Sequence, residues 1–301
     1  MVQTILLLPA LFLSAALVSG NNLAACMGAA VGARMIDRRA ATIMGIFGYV
    51  LGLLLLGENM VRSAHALFPD GLGADLASEV LLSTVAVFVL GSLLRVPLSV
   101  TSALTGMLTG ISVAKGLPID LQFLGYIIMV WMAVPILSIM IAYFSMRLIS
   151  RSGPRDVWKR TERYKLLVVA ASFLTAVAVG ANSLALVVAV SGFESAQTLV
   201  AIAAIVFGSF FLSSRQMKRV GSEMYLIGYS SAFVTSATST FMIFFASANG
   251  VPLSSTQTLS AAIFGAGLSH KERFIAVRPF VMIVLGWIIA PLVSFLVGLA
   301  L

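Results

Sequence analysis

The feature that most constrains this chain is a series of apolar segments, most of them near 20 residues long. An α-helix needs about 20 apolar residues to cross roughly 30 Å of hydrocarbon, whereas membrane β-barrel strands show roughly ten-residue alternating segments. Only 10% of the residues are charged, whereas a soluble protein carries about 25%. We therefore expect an all-α polytopic membrane protein of about ten transmembrane segments. They are 4–33 (interrupted near Gly20), 40–57, 80–94, 97–114, 123–146, 166–190, 197–213, 224–246, 252–269 and 279–300.

Basic residues, which give the chain its net charge of +8, cluster between these segments. The positive-inside rule places such residues on the cytoplasmic side, so they indicate topology rather than nucleic-acid binding. The most basic stretch, 147–165, predicts a cytoplasmic loop of a multi-pass protein of the cell membrane, surrounded by lipid. Counting crossings from this loop places the N-terminus outside, together with the acidic loop 58–79.

The basic stretch also divides the chain into two halves, 1–146 and 166–301, that share two motifs in the same order. The string SGNNLAAC at 19–26 resembles GANSLALV at 180–187, and RVPLSVTSALTG at 95–106 resembles GVPLSSTQTLSA at 250–261. Five crossings per half is an odd number, so the second copy should be inverted relative to the first. In such folds the substrate binds near the midplane, where broken or re-entrant helices meet. The expected interruptions are Gly20, Gly180, Pro97 and Pro252.

The two motifs have the chemistry of an anion site. Helix N-termini carry partial positive charge and unpaired N–H groups. Proline is favoured at the first helical position, so Pro97 and Pro252 should begin helices that present hydroxyl groups in their opening turns. A tetrahedral oxyanion, phosphate or sulfate, could be held there. The candidate substrate ligands are Ser99, Thr101, Ser102, Ser254, Ser255, Thr256, Asn21 and Asn182.

Other roles for these residues must be weighed against transport. Ser, Thr and Asn also stabilise contacts between transmembrane helices, so one motif alone would favour packing, whereas their duplication favours function. Packing is the expected role of the stretch 230–240. No Asp, Glu or His lies well inside a segment, which argues against an enzyme, a metal site or a cofactor. An anion channel is the alternative from another class, but paired broken helices favour a secondary transporter with alternating access.

At these same residues the chain resembles the PiT family of inorganic phosphate transporters, over essentially its whole length. Each half of that family carries a G-A-N-D-x-x-N-A type motif and a P-x-S-T-T-H type motif. Gly180, Ala181 and Asn182 match the first motif, and Pro252 and Thr256 lie in the second. The resemblance implies a transporter that moves phosphate, usually coupled to sodium or protons. A homodimer is one possible assembly.

The chain departs from the family pattern where coupling is expected. The family's aspartate is replaced by Asn22 and Ser183, and its histidine by Ser102 and Gln257. A coupling cation in the membrane normally needs a nearby negative charge, so Asn22 and Ser183 should form at most a weak cation site. A site without carboxylates suits sulfate, which has no proton to donate, and AACMGAAVGA resembles the family's sulfate-permease branch. The family as a whole favours phosphate, and both anions stay open.

Overall fold

Helices make up almost all of the described chain. The computed structural model describes residues 2–32, 34–68, 73–93, 99–152, 157–213, 228–269 and 277–301. Within these ranges the helices are α1 (Val2–Gly32), α2 (Arg38–Leu56), α3 (Asn59–Leu67), α4 (Ala74–Leu93), α5 (Val100–Ala114), α6 (Leu121–Ser152), α7 (Val157–Val179), α8 (Ala185–Val190), α9 (Ser195–Phe211), α10 (Tyr229–Ala248), α11 (Ser255–Ser269) and α12 (Val277–Ala300). A π-helical turn, Gly180–Leu184, joins α7 to α8.

Each of the ten apolar segments corresponds to a helix, which confirms the all-α prediction. In the described residues, six helical stretches are long and apolar enough to cross a bilayer, and they lie in α1, α2, α4, α6, α7–α8 and α10. Helices α5 and α11 have only 15 residues each, or about 22 Å at 1.5 Å per residue. That length is short of the hydrocarbon core, so the count of ten crossings stays a prediction.

The predicted interruption at Gly20 is wrong, because α1 runs without a break through this residue. Gly20 instead permits a close contact between helices: a Cβ there would lie 2.6 Å from the Leu212 Cβ and 2.8 Å from the Gly208 carbonyl oxygen. At the corresponding Gly180 the helix is interrupted by the π turn, whose residues are all buried. The helix therefore changes its hydrogen-bond pattern there without ending.

Two regions that we predicted to be loops are partly helical. The short helix α3 lies within 58–79 and buries Met60, Ser63, Ala64 and Leu67. The basic stretch 147–165 contains the end of α6 at Ser152 and the start of α7 at Val157. A helix that continues past its apolar residues keeps its backbone hydrogen bonds. In α6 and α7 the sequence therefore changes from apolar to basic while the helix continues.

Helix directions follow from residues in contact. Helices α1 and α2 are antiparallel. Leu23 lies against Gly45, and the Ser19 carbonyl oxygen, earlier in α1, accepts a hydrogen bond from the hydroxyl of Tyr49, later in α2. Between α1 and α9, residue numbers of contacting pairs increase in both helices, since Ala16 lies against Gly208 and Gly20 lies against Leu212. Helices α1 and α9 thus run in the same direction.

Helices α2 and α7 also run in the same direction. Gly48 lies against Phe173 and Ala176, and Gly52 lies against Val177 and Ala181. This contact mirrors the one between α1 and α9, because in each a glycine meets a carbonyl oxygen of the other half. The pairs are Gly52 with Val177 and Gly208 with Ala16.

A second mirrored pair involves the short helices. Helix α5 packs mainly against α12, and α11 packs mainly against α6, so each short helix lies on the last helix of the other half. Gly110 meets the Phe295 carbonyl oxygen, and Gly265 meets the Ile139 carbonyl oxygen. The two halves are therefore interleaved rather than side by side.

We predict that Gly52→Ala lowers the free energy of unfolding by about 1 to 3 kcal/mol, the usual effect of overpacking. The added Cβ would collide with the Val177 carbonyl oxygen and lie 2.8 Å from the Ala181 backbone nitrogen. Gly125→Ala is the matched control, since a Cβ there meets nothing within 4 Å. The measurement is the thermal unfolding midpoint of the purified protein in detergent. Equal midpoints for both variants would show that this helix contact is not close.

Candidate functional site

Two hydrogen bonds join the polar motifs of one half to those of the other. The Thr101 Oγ1 donates to the Ser183 Oγ at 2.9 Å. The Ser255 Oγ donates to the Asn22 Oδ1, also at 2.9 Å. In both cases the second motif of one half contacts the first motif of the other half. We call this pair the crossed hydrogen bonds.

The helices α5 and α11 begin at this place with matching N-caps. The Ser99 Oγ accepts a hydrogen bond from the Ser102 backbone N–H at 3.3 Å, and the Ser254 Oγ accepts one from the Gln257 backbone N–H at 3.3 Å. The Ser254 and Thr256 hydroxyls are also within hydrogen-bond distance, at 2.9 Å. One cap satisfies one of the four free N–H groups of a helix N-terminus, so others stay available to an anion.

Pro252 does not begin α11 as we predicted. Pro252 lies three residues before Ser255, the first residue of α11, while Ser254 takes the capping role. A serine cap satisfies a free backbone donor, which a proline cannot do. Pro97 lies outside the described residues.

The segment that leads into α11 is held by Asn182, which lies in the π turn. Its Nδ2 donates to the Val251 carbonyl oxygen at 2.9 Å and to the Ser247 Oγ at 3.1 Å. Its Oδ1 accepts from the Leu253 backbone N–H at 2.8 Å. Both amide protons are thus used within the protein, and the side chain is fully buried. These hydrogen bonds give Asn182 a structural role.

Two further side chains hold the same segment from other helices. The Ser63 hydroxyl of α3 donates to the Gly250 carbonyl oxygen. The Trp131 Nε1 of α6 donates to the Pro252 carbonyl oxygen at 2.7 Å. The Gln257 Nε2 donates back to the Trp131 carbonyl oxygen at 3.0 Å. The residues 250–253 are therefore positioned by side chains of three separate elements.

Most of the predicted site residues are removed from solvent. Within the described residues, the chain buries hydroxyl and amide side chains but no Asp, Glu, Lys, Arg or His. The electrostatic field at the site therefore comes from helix ends and neutral dipoles. The predicted residues that are buried are Ser99, Thr101, Ser102, Ser254, Ser255, Asn182, Asn22 and Ser183, and Asn21 and Thr256 are half-buried.

Trp131 was missed by the sequence analysis, although a signal for it was present. The string WMAVP at 131–135 resembles WIIAP at 287–291, so a tryptophan and a proline recur at the same spacing in both halves. Both prolines lie inside long helices, Pro135 in α6 and Pro291 in α12. This repeat is mostly apolar, unlike the two polar motifs that suggested the site.

The polar stretch of α10 makes helix contacts, as predicted. The Thr240 and Thr175 hydroxyls are 2.6 Å apart, and the Ser239 and Thr258 hydroxyls are 2.8 Å apart. These bonds join α10 to α7 and α11. The stretch thereby supports the two helices that carry the second-half motifs.

A comparison with protein families agrees with the motifs and the geometry. The model of the phosphate transporter family matches residues 18–191 and 155–298, which together cover most of the chain. The chain belongs to the phosphate transporter family. Its members are transporters rather than enzymes, so the protein is a multi-pass membrane transporter.

Two relatives extend this finding. A protein of Methanocaldococcus jannaschii, designated a candidate phosphate permease, is 25% identical over 285 residues, which are 94% of this chain and 91% of the relative. A solved structure described as the sodium-dependent phosphate transporter has a TM-score of 0.87 and 18% identity, covering 100% of this chain and 98% of its own. At that identity the likeness shows a shared fold. None of these three matches names sulfate.

We predict that Asn182→Ala destabilises the protein by about 2 to 6 kcal/mol, because two buried main-chain groups lose their partner at about 1 to 3 kcal/mol each. Those groups are the Val251 carbonyl and the Leu253 N–H. Asn249→Ala is the control, since that exposed amide donates only to the Phe245 carbonyl oxygen. Thermal unfolding of both variants is the measurement. A similar small shift for both would mean that Asn182 does not hold the segment.

Proposed function

We propose that this protein is a secondary transporter that moves inorganic phosphate across the membrane by alternating access. The crossed hydrogen bonds are the observation that carries this proposal, since they bring both polar motifs of both halves to one buried place. Membership of the phosphate transporter family and the name of the archaeal relative favour phosphate. Sulfate is the competing substrate, and the transport experiment below includes it.

We further propose that the halves are inverted repeats. By motif and order along the chain, α9 in the second half corresponds to α2 in the first. Helix α2 runs opposite to α1, and α9 runs in the same direction as α1. The corresponding helices α2 and α9 therefore run in opposite directions. Corresponding helices that run oppositely are expected of an inverted repeat and not of a direct one. The mirrored glycine contacts support the same relation. Such repeats exchange roles when a transporter opens first to one side and then to the other.

The anion would bind between the N-termini of α5 and α11. Free backbone N–H groups and the hydroxyls of Ser99 and Ser254 can donate to phosphate oxygens, and the helix dipoles favour negative charge. The Thr101 hydroxyl would join them by exchanging its hydrogen bond to Ser183 for one to the anion. The Asn22 Oδ1, which accepts from the Ser255 hydroxyl, has a second lone pair that can accept a hydrogen bond from a protonated phosphate oxygen. Asn182 would position α11 instead of contacting the anion, because its N–H groups are already paired.

Burial of the site supports alternating access rather than a channel. Thr101 and Ser255 are 5% and 3% exposed, so an anion cannot reach them without movement of surrounding helices. A channel needs a continuous polar path across the bilayer. A closed site flanked by the motifs of both halves is the arrangement expected of an occluded transporter.

Cation coupling would depend on the substrate. The described residues contain no group of three or more His, Cys, Asp or Glu that could hold a metal ion, and Asn22 and Ser183 are neutral. We propose that sodium binds weakly without phosphate, because only the anion would offset its charge. Proton coupling, a homodimer and the cytoplasmic position of the basic stretch 147–165 remain predictions.

Purified protein in liposomes should take up labelled phosphate, and arsenate should compete with it. Sulfate should compete more weakly if phosphate is the substrate. Uptake with and without a sodium gradient then tests coupling, and sodium should increase uptake only modestly. Planar bilayer recordings discriminate a channel, which would show single-channel currents. An absence of uptake for both phosphate and sulfate would reject the transporter proposal.

We predict that Thr101→Val weakens phosphate binding about five- to a hundredfold, since losing a buried hydrogen-bond partner costs about 1 to 3 kcal/mol. Thr256→Val should act in the same direction. Thr109→Val is the matched control on α5, because its hydroxyl donates to the Thr105 carbonyl oxygen of its own helix. Calorimetric titration with phosphate is the measurement. Equal phosphate affinities for all three variants would show that Thr101 and Thr256 only pack helices together and do not bind the anion.

A further inference from the structure

The short helix α3 lies at the end of the bundle opposite to the basic stretch 147–165. The backbone N–H of Asp120, just before α6, donates to the Ala66 carbonyl oxygen of α3 at 3.2 Å. Helix α6 then runs for 32 residues, or about 48 Å, and ends at Ser152 in the basic stretch. The length of a whole membrane helix therefore separates α3 from the basic stretch.

Three elements continue the chain from the crossed hydrogen bonds. Helix α8 follows Ser183, α5 carries Thr101 in its first turn, and the segment 250–253 leads into Ser255. These three elements form the walls through which an anion would have to pass on this side of the site.

Helix α3 contacts all three of these elements. It packs on α8 and on α5. The Ser112 hydroxyl, near the end of α5, donates to the Leu67 carbonyl oxygen of α3 at 2.6 Å. The Ser63 hydroxyl of α3 donates to the Gly250 carbonyl oxygen. The helix therefore bridges the ends of the walls and covers the site at this end of the bundle.

The two faces of α3 have different surroundings. The face toward the bundle is buried and consists of Met60, Ser63, Ala64 and Leu67. On the opposite face Arg62 and His65 are exposed. They border a cavity of about 570 Å³ whose other lining residues are Glu58, Val61 and Phe193. A single layer, α3, therefore lies between a charged cavity at the surface and the covered end of the site.

The connection between α2 and α3 has the features of a hinge. Helix α2 ends at Leu56 and α3 begins at Asn59, with Gly57 buried between them. A Cβ at Gly57 would lie 2.8 Å from the Phe193 ring Cζ, so the ring packs directly on the joint. Phe193 itself has a φ of 55°, a left-handed conformation that is rare for a bulky residue. Hinges are commonly a few residues at the ends of helices.

We propose that α3 is a gate that closes the candidate anion site at this end of the bundle and opens by turning about Gly57. The substrate would enter through the cavity beside Arg62, pass the raised helix and reach the N-termini of α5 and α11. A helix of 9 residues is marginal by itself in water, so contacts with the walls hold α3 closed and their loss releases it. The gate rests on the transport function proposed above.

Labelling of added cysteines tests the gate in the full-length protein in detergent. The natural cysteine, Cys26, is fully buried, so unmodified protein gives the background. A charged maleimide should label Ala64→Cys about 10- to 1000-fold more slowly than His65→Cys, because a buried thiol reacts only in an open state populated at about 0.1 to 10%. His65→Cys is the matched control, since it is the next residue of the same helix and is exposed.

Phosphate should slow the labelling of Ala64→Cys further and leave that of His65→Cys unchanged. An anion enclosed in the site stabilises the closed gate and reduces the open population. Ser63→Cys, a change of similar shape at a second buried position, should behave as Ala64→Cys does, and it tests the gate if Ala64→Cys fails to fold. Thermal unfolding shows which variants are folded.

Three results would overturn the gate. Equal labelling rates for Ala64→Cys and His65→Cys would show that α3 does not close the site. A buried cysteine that stays unlabelled in a protein that takes up phosphate would show that substrate passes without movement of α3. Labelling that is insensitive to phosphate in such a protein would separate α3 from transport. Failure of the transport function is a distinct result, seen as absent uptake by unmodified protein, while the labelling rates still report whether α3 opens.

Discussion

The structure depends on pairing the main-chain polar groups of residues 250–253 inside the protein. Backbone N–H and C=O groups buried at membrane depth have no water to bind, so irregular backbone survives only where protein groups satisfy it. Here Asn182, Trp131 and Ser63 supply the hydrogen bonds from the π turn, α6 and α3. Each side chain belongs to a different element. The start of α11 is therefore fixed by tertiary contacts rather than by its own sequence.

This constraint links the site to the interleaving of the halves. The segment before α11 belongs to the second half, but Trp131 and Ser63 belong to the first. The crossed hydrogen bonds tie the halves together at the same place. Under the proposed mechanism, a movement of one half must change the environment of both helix N-termini. Close glycine contacts, such as Gly52 against Val177, allow the helices to approach without bulky side chains between them.

Apolar length was enough to predict a helix for each of the ten apolar segments, and motif duplication selected polar residues that lie close together in the structure. The polar motifs meet because buried hydroxyls and amides need partners. The crossed hydrogen bonds supply them from the other half, whereas the Asn182 amide is paired within its own half. The π turn at Gly180 and the continuous helix at Gly20 could not be distinguished, since both glycines follow similar sequences. Both glycines lie in close contacts with another helix, Gly20 with Leu212 and Gly180 with the Tyr49 carbonyl oxygen, so close packing alone does not determine which glycine interrupts a helix.

Other features required the three-dimensional contacts. Helix α3 is short and mixes apolar with polar residues, so its pattern resembles a polar loop until its buried face is seen against the rest of the protein. Asn182 could be a ligand or a structural residue by chemistry alone, and only its three hydrogen bonds show how its amide is used. The repeat of WMAVP as WIIAP marks Trp131 in the sequence. Residue spacing does not show, however, that its indole N–H donates to the Pro252 carbonyl oxygen.

The central claim is that an oxyanion binds between the N-termini of α5 and α11. The most direct measurement is the anomalous scattering of arsenic in crystals of the protein grown with arsenate, an analogue of phosphate. The account predicts one buried arsenic peak with oxygen atoms in hydrogen-bond distance of Thr101 and of the Ser254 to Thr256 turn. A peak confined to the surface, for example beside Arg38 and Arg39, with none between these helices, would contradict it.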